Sequence, residues 1–341
     1  MSAVASLSAQ LPLFAQGGVP GPVHTWPVFD AADLDRLAEG LATLSSRDQE
    51  RRNKQLIERL RQRGPQRCID LPADVVPQLQ ALQRRLPHFS GVVEQVLAEV
   101  ALARHARRPL QMLPLLLVGP PGVGKSYFAQ ALAQALGLPL YRLAMDGAQS
   151  AAQLTGSAAF WSNTQTGLIF EALALGDHLS PIVLLDEIDK APRHAQYDPL
   201  APLHGLLEPS TAGHFEDASL ALPLDARFVV WIATANEAQA LDAPLRSRFA
   251  VQEIAAPSRE QARTIAQGLL SEQMREFGLD WSVREEVVER LSRVTPRQQS
   301  QWIRLALGRA LLRQAQEVTA EDLPAAQAPD SRVPMGFVPV G

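Results

Sequence analysis

Leucines recur at spacings of three and four at Leu34, Leu37, Leu41 and Leu44, the period of one helix face. The pattern predicts helix across residues 31–63, until Gly64 and Pro65 break it. A second helix is predicted from about residue 73, with Leu79, Leu82 and Leu86 on one face and Pro87 at its end, and a third over residues 92–107. The pattern then changes character. Short unbroken apolar runs, LLLV at 115–118 and IVLL at 182–185, read as strands. Helical stretches such as YFAQALAQAL at 127–136, closed by Gly137, separate them. Strands alternating with helices argue for a parallel sheet covered on both faces, running to about Ala256. Beyond it, Ser258 with Gln261, Ser282 with Glu285 and Thr295 with Gln298 each fit a reciprocal helix cap, and Pro296 takes a favoured first helical position. These signals predict three helices in a small all-helical domain.

The loop after the first strand carries the chemistry. Residues 119–126 read GPPGVGKS, a complete G-x-x-x-x-G-K-[ST] pattern between strand and helix. A triphosphate is a dense anion that needs many donors in a small space, and Gly119, Gly122 and Gly124 let successive backbone N–H groups turn inward around it, with Pro120, Pro121 and Val123 completing the loop. Lys125 reaches the outer phosphates as a point charge, while Ser126 and Tyr127 open the helix, Ser126 offering its hydroxyl to a magnesium ion. The run IVLLDEID at 182–189 supplies the hydrolytic half: Asp186 holds the metal and Glu187 polarises the attacking water. ATP and Mg2+ are the expected ligands, since no N-K-x-D guanine signature occurs.

Composition narrows the setting. The chain has 341 residues, 46% of them hydrophobic, and a net charge of −4, enough for two domains and a sizeable core. Cys68 is the lone cysteine, which excludes an internal disulfide and points to a reducing compartment. No apolar run approaches a membrane span and the first residues lack the basic start of a signal peptide, so the expected location is the cytoplasm. His88, His178 and His204 read as ordinary surface or partly buried side chains, and nothing supports hydride transfer, metal hydrolysis or a covalent nucleophile.

The order of phosphate loop, DEID strand, a strand ending IATAN at 232–236, LRSRF at 245–249 and helical domain resembles the AAA+ ATPases over roughly residues 87–325. Within that family it is similar to the ATPase module of Lon-type proteases, on the strength of LLDEIDK at 184–190, DPLAPLHGLLEPS at 198–210 and the FED run at 215–217. The resemblance implies an α/β P-loop NTPase core of three layers with a parallel sheet, followed by a small helical lid and preceded by a helical N-terminal region. The expected division is a flexible arm at 1–29, the helical N-terminal region at 30–86, the AAA+ core at 87–256, the lid at 257–325 and a flexible tail at 326–341. It further implies that Asn236 orients water with Glu187 and that Arg248, with Arg246 as the nearby alternative, is an arginine finger acting on the neighbouring subunit. Arg297 matches the lid arginine that senses the γ-phosphate, and Phe160 and Trp161 fall on the aromatic pore loop that grips an unfolded chain. A finger acting in trans implies a ring, most simply a hexamer. The peptidase dyad of Lon-type enzymes lies after the lid, and this chain ends at Gly341, so no peptidase activity is expected of it alone.

Two features point toward DNA instead. Residues 47–67 hold eight basic residues against three acidic ones, with Arg104, Arg107 and Arg108 as a second cluster. QLPLF, from Gln10 to Phe14, resembles the short peptide by which bacterial proteins dock on the replicative sliding clamp. The leading expectation is an ATP-driven ring that remodels, unfolds or threads protein substrates. The alternatives are a clamp-recruited ATPase of DNA metabolism and a nucleotide-dependent scaffold with little turnover.

Overall fold

The computed structural model describes residues 23–40, 47–148, 150–157, 165–192 and 198–324. The chain forms two compact units, Met1–Ala256 and Pro257–Gly341. In the first, five strands make one sheet: β1 (Leu115–Val118), β2 (Leu140–Ala144), β3 (Ile182–Asp186), β4 (Val230–Ala235) and β5 (Ala250–Glu253). Their order is β2-β3-β4-β1-β5 and every neighbouring pair is parallel. Interior β3 and β4 are buried at every position, whereas edge strands β2 and β5 are only partly covered. Continuous apolar sequence is thus the mark of interior strands covered on both faces. From β1 the chain crosses to the far edge at β2, and from β4 it crosses the other way to β5. That reversal opens a crevice at the carboxyl ends of β1, β4 and β3, the place where open α/β sheets hold their ligands.

The N-terminal region packs on this sheet. Strand Thr25–Pro27 pairs antiparallel with Gln66–Cys68, and Val28, Phe29, Leu34, Ile57, Leu60 and Ile69 share one core with Val183, Leu185 and Trp231. The helical pattern over 31–63 resolves into Ala31–Gly40 and Arg47–Arg63. Arg67, counted in the basic run, is not a surface charge. It is 2% exposed and donates to the carbonyls of Gly64 (2.9 Å), Gln66 (2.7 Å), Leu173 (2.8 Å) and Ala174. Two of these carbonyls end the helix Leu168–Leu173, so the guanidinium caps it and ties the N-terminal region to the core. Burial, with Arg63 nearby, pushes its pKa down to about 10, which leaves it charged at neutral pH.

The second unit contains the helices Arg259–Glu276, Glu285–Leu291 and Pro296–Leu312. Ser258 and Thr295 close the expected reciprocal caps with Gln261 and Gln298. Ser282 does not cap a helix. It is extended, and Ser282–Val283 pairs in parallel with Glu317–Val318, so the unit is not purely helical. The fork of Arg284 grips the Glu317 carboxylate, with Nε and Nη2 each at 3.0 Å, holding Ser282 in the strand and delaying the helix to Glu285. No helix among the described residues is long and apolar enough to cross a membrane.

Candidate active site

The loop after β1 turns tightly because its glycines permit it. Gly122 and Gly124 have φ of 84° and 98°, and a Cβ on Gly119 would lie 2.2 Å from the Ile254 carbonyl oxygen. Gly124 leads into the helix Lys125–Leu136, whose first turn aims backbone N–H groups at the loop. Tyr127 lies in that turn with its ring 5.7 Å from the Arg85 guanidinium. Beneath the loop, His88 Nε2 is 2.9 Å from the Val123 carbonyl, and Phe89 stacks on Phe128 with centroids 4.2 Å apart. Burial lowers the His88 pKa, so the ring is neutral and donates to that carbonyl. His178 is a satisfied interior side chain, accepting at Nδ1 from Ser180 N (3.0 Å).

Lys125 Nζ donates to Gly119 O (2.6 Å), Pro120 O (3.1 Å) and Asn236 Oδ1 (3.0 Å). Burial lowers its pKa against the opposing pull of Asp189, Glu187 and Asp186. Asn236 follows β4, and its N–H donates to Asp189 Oδ2 (3.1 Å). The structure therefore gathers Lys125, Ser126, Asp186, Glu187 and Asn236 at one end of the sheet.

Asp186 ends β3 with its side chain almost fully buried. Its Oδ1 accepts from Ser126 Oγ (2.6 Å) and Thr234 Oγ1 (2.6 Å), and its Oδ2 pairs with Arg142. Burial raises the carboxyl pKa, but the two hydroxyls and the guanidinium outweigh it and leave the group below its ordinary value. Glu187 comes next in an unusual conformation, φ 56°, ψ 50°. For a non-glycine residue this left-handed geometry costs about 1–2 kcal/mol. The bond from its N–H to Thr234 Oγ1 (2.9 Å) holds it there, with the carboxylate exposed at the crevice. No role for Thr234, Asp189 or Arg142 follows from the sequence, although Asp189 closes the DEID run and Thr234 lies in IATAN, because their contacts run between elements: Asp189 to Asn236, Thr234 to Asp186 and Glu187, and Arg142 to Asp186.

The donor set suits a small hard cation. The convergence of the Ser126 hydroxyl and the Asp186 carboxylate gives two oxygen ligands. Among the described residues no group of three or more His, Cys, Asp or Glu is placed to hold a metal by itself. A magnesium ion here would take its other ligands from phosphate and water, as that ion commonly does.

Arg248 lies elsewhere. It precedes β5, so it sits at the amino edge of the sheet, opposite the phosphate loop, and its Nη1 donates to Pro244 O (2.7 Å). It lines an open groove of about 970 Å3 with Trp26, Leu113, Phe228 and Trp231. Arg246 ends the short helix Ala243–Arg246, which Asp242 caps. Arg297 is exposed in the first turn of Pro296–Leu312 in the second unit. Phe160, Trp161 and the stretch from Gln10 to Phe14 lie outside the described residues. Arg61 and Arg63 of the basic run are paired with Asp35 and Asp177.

Residues 115–256 match the family described as "ATPase family associated with various cellular activities (AAA)". The chain is 33% identical to a Lon protease of Chloroflexus aggregans over 54% of its own length and 23% of the relative's. It is 33% identical to Lon protease 4 of Sorangium cellulosum over 62% of its length and 27% of the relative's. It thus spans about a quarter of the length of these relatives. Among solved structures, a mutant of Thermotoga maritima RuvB is 16% identical, with 68% of this chain and 67% of that chain covered and a TM-score of 0.49. A likeness of that degree does not bear on function. The loop at 119–126, the DEID strand and the Lon matches agree, and the chain carries an AAA-family ATPase domain related to the ATPase module of the Lon proteases.

Proposed function

We propose that the chain binds ATP with Mg2+ at the crevice above β1, β3 and β4, hydrolyses it, and uses the energy as a ring to unfold or thread protein substrates. One observation carries the reading: Lys125, Ser126, Asp186, Glu187 and Asn236, separated in sequence, converge on one site through the hydrogen bonds around Lys125 and Asp186. Backbone N–H groups of the loop cradle the phosphates, and Lys125 trades its bonds to Gly119 O and Pro120 O for phosphate oxygens. Ser126 and Asp186 would hold a magnesium ion, which would supply positive charge against the charge spread over the transferring phosphoryl group. Glu187 orients and polarises the attacking water, and Asn236 shares in placing it. Arg248, at the opposite edge of the sheet, is suited to reach a neighbouring protomer's site rather than its own, which is the argument for a ring. Arg297 reports nucleotide from the lid, and Trp161 grips the substrate chain.

The test is ATP turnover of the full chain with and without an unfolded protein such as casein, alongside Glu187→Gln and Trp161→Ala. Glu187→Gln is expected to keep nucleotide binding and lose turnover, and Trp161→Ala to lose stimulation by casein while keeping basal turnover. Unchanged turnover in Glu187→Gln would sink the chemistry. Stimulation by DNA that survives Trp161→Ala would replace the threading role with one in DNA metabolism.

A further inference from the structure

In the register of β2 and β3, Arg142 lies opposite Leu184 and Ala144 opposite Asp186. Alternate residues of a strand share a face, so Arg142 is the diagonal neighbour of Asp186 on the same face, within reach of a long side chain. The reach is made, Nη2 to Asp186 Oδ2. The carboxylate is therefore held at both oxygens, and its three donors are not alike. Thr234 is 1% exposed on an interior strand, and Ser126 is fixed in the first turn of a helix. The Arg142 side chain is 61% exposed against 4% for Asp186, and a flexible stem carries it from an edge strand. It can withdraw into solvent at little cost, whereas the hydroxyls cannot.

We propose that Arg142 is a positioning residue that competes with the divalent metal for Asp186, and so sets the Mg2+ concentration at which nucleotide is held. This rests on the reading of Asp186 as the metal-holding carboxylate. While the guanidinium occupies Oδ2, the carboxylate is neutralised and keeps its orientation. A metal gains the site only by displacing that contact, so its apparent affinity is reduced by the fraction of molecules in which the pair is made. The pairing also keeps a buried carboxylate from standing uncompensated in a crevice that already contains Glu187 and Asp189.

The experiment uses the full chain, wild type, Arg142→Gln and Arg142→Lys. Mn2+ binding is followed by electron paramagnetic resonance at fixed ADP, and the Mg2+ dependence of fluorescent-ADP binding is measured in parallel. Arg142→Gln is expected to lower the metal concentration for half-saturation roughly two- to sixfold, the range of a partly exposed ion pair. The difference in ADP affinity should close as Mg2+ saturates, and Arg142→Lys, which keeps the charge, should fall between the two. An unchanged metal midpoint overturns the proposal, as does weaker ADP binding in Arg142→Gln at saturating Mg2+, which would place the guanidinium on the phosphates. If the wild type binds ADP without any dependence on metal, the reading of Asp186 fails first and this proposal with it.

Discussion

Thr234→Val removes one hydroxyl from the centre of the site and little else. The side chain is 1% exposed on β4, and valine keeps its branched shape without its polar atom. Two groups lose a partner: Asp186 Oδ1 retains only Ser126, and the Glu187 N–H loses the bond that fixes it in the left-handed region. A hydrogen bond to a charged acceptor is worth about 1.5–3 kcal/mol and an orphaned buried N–H costs about 1–3 kcal/mol. Water can reach Glu187 at the open crevice, which trims the second contribution, and the sum is about 2–4 kcal/mol. For a unit of this size that lowers Tm by roughly 4–16 °C. Thermal and urea unfolding followed by the fluorescence of Trp231, which is buried on the same strand, would read the loss. Freed of its anchor, Glu187 relaxes toward an ordinary backbone conformation and its carboxylate leaves the position from which it addresses water. A loss of only about 1.4 kcal/mol of that positioning in the transition state gives a tenfold lower kcat. Thr234→Ser restores the hydroxyl and should recover most of both effects. The reasoning is refuted if Thr234→Val stays within about 0.5 kcal/mol of wild type with unaltered turnover, or if serine does no better than valine.

Arg67→Met should destabilise the first unit by about 3–5 kcal/mol, because four carbonyl groups lose one shared donor. The same change should make residues 23–69 sensitive to limited proteolysis, and a loss below about 1 kcal/mol would show that water replaces the guanidinium freely. Asp217, 1% exposed, accepts from Gly167 N (2.8 Å), Ser219 N (2.9 Å) and Ser219 Oγ (2.5 Å), yet burial outweighs these bonds and raises its pKa. A carboxyl raised in the folded state stabilises fully below its unfolded pKa, and that contribution is lost as pH rises through the folded value. The stability of wild type relative to Asp217→Asn should therefore be greatest in acid and decline toward neutrality. Urea unfolding across that range checks the sign, and a difference that grows with pH would refute it.

What the sequence determined by itself is what depends on a few consecutive residues. The glycines of 119–124 permit a tight turn, the apolar run of β3 calls for burial on both faces, and the caps at Ser258 and Thr295 close within three residues. These signals are each written within a few consecutive residues. Tertiary structure decided whatever depends on which strand lies beside which. Arg142 and Thr234 meet Asp186 only because the sheet order places β2 and β4 on either side of β3. Arg67 left the basic run for the interior because helix-ending carbonyls more than a hundred residues away needed a donor. Ser282 met the spacing of a cap but was drawn into a strand by a partner at Glu317, on the far side of the Pro296–Leu312 helix. Spacing along a chain encodes contacts within a turn or two; contacts between elements are chosen by the packing that buries the most apolar surface while leaving the fewest polar groups unpaired.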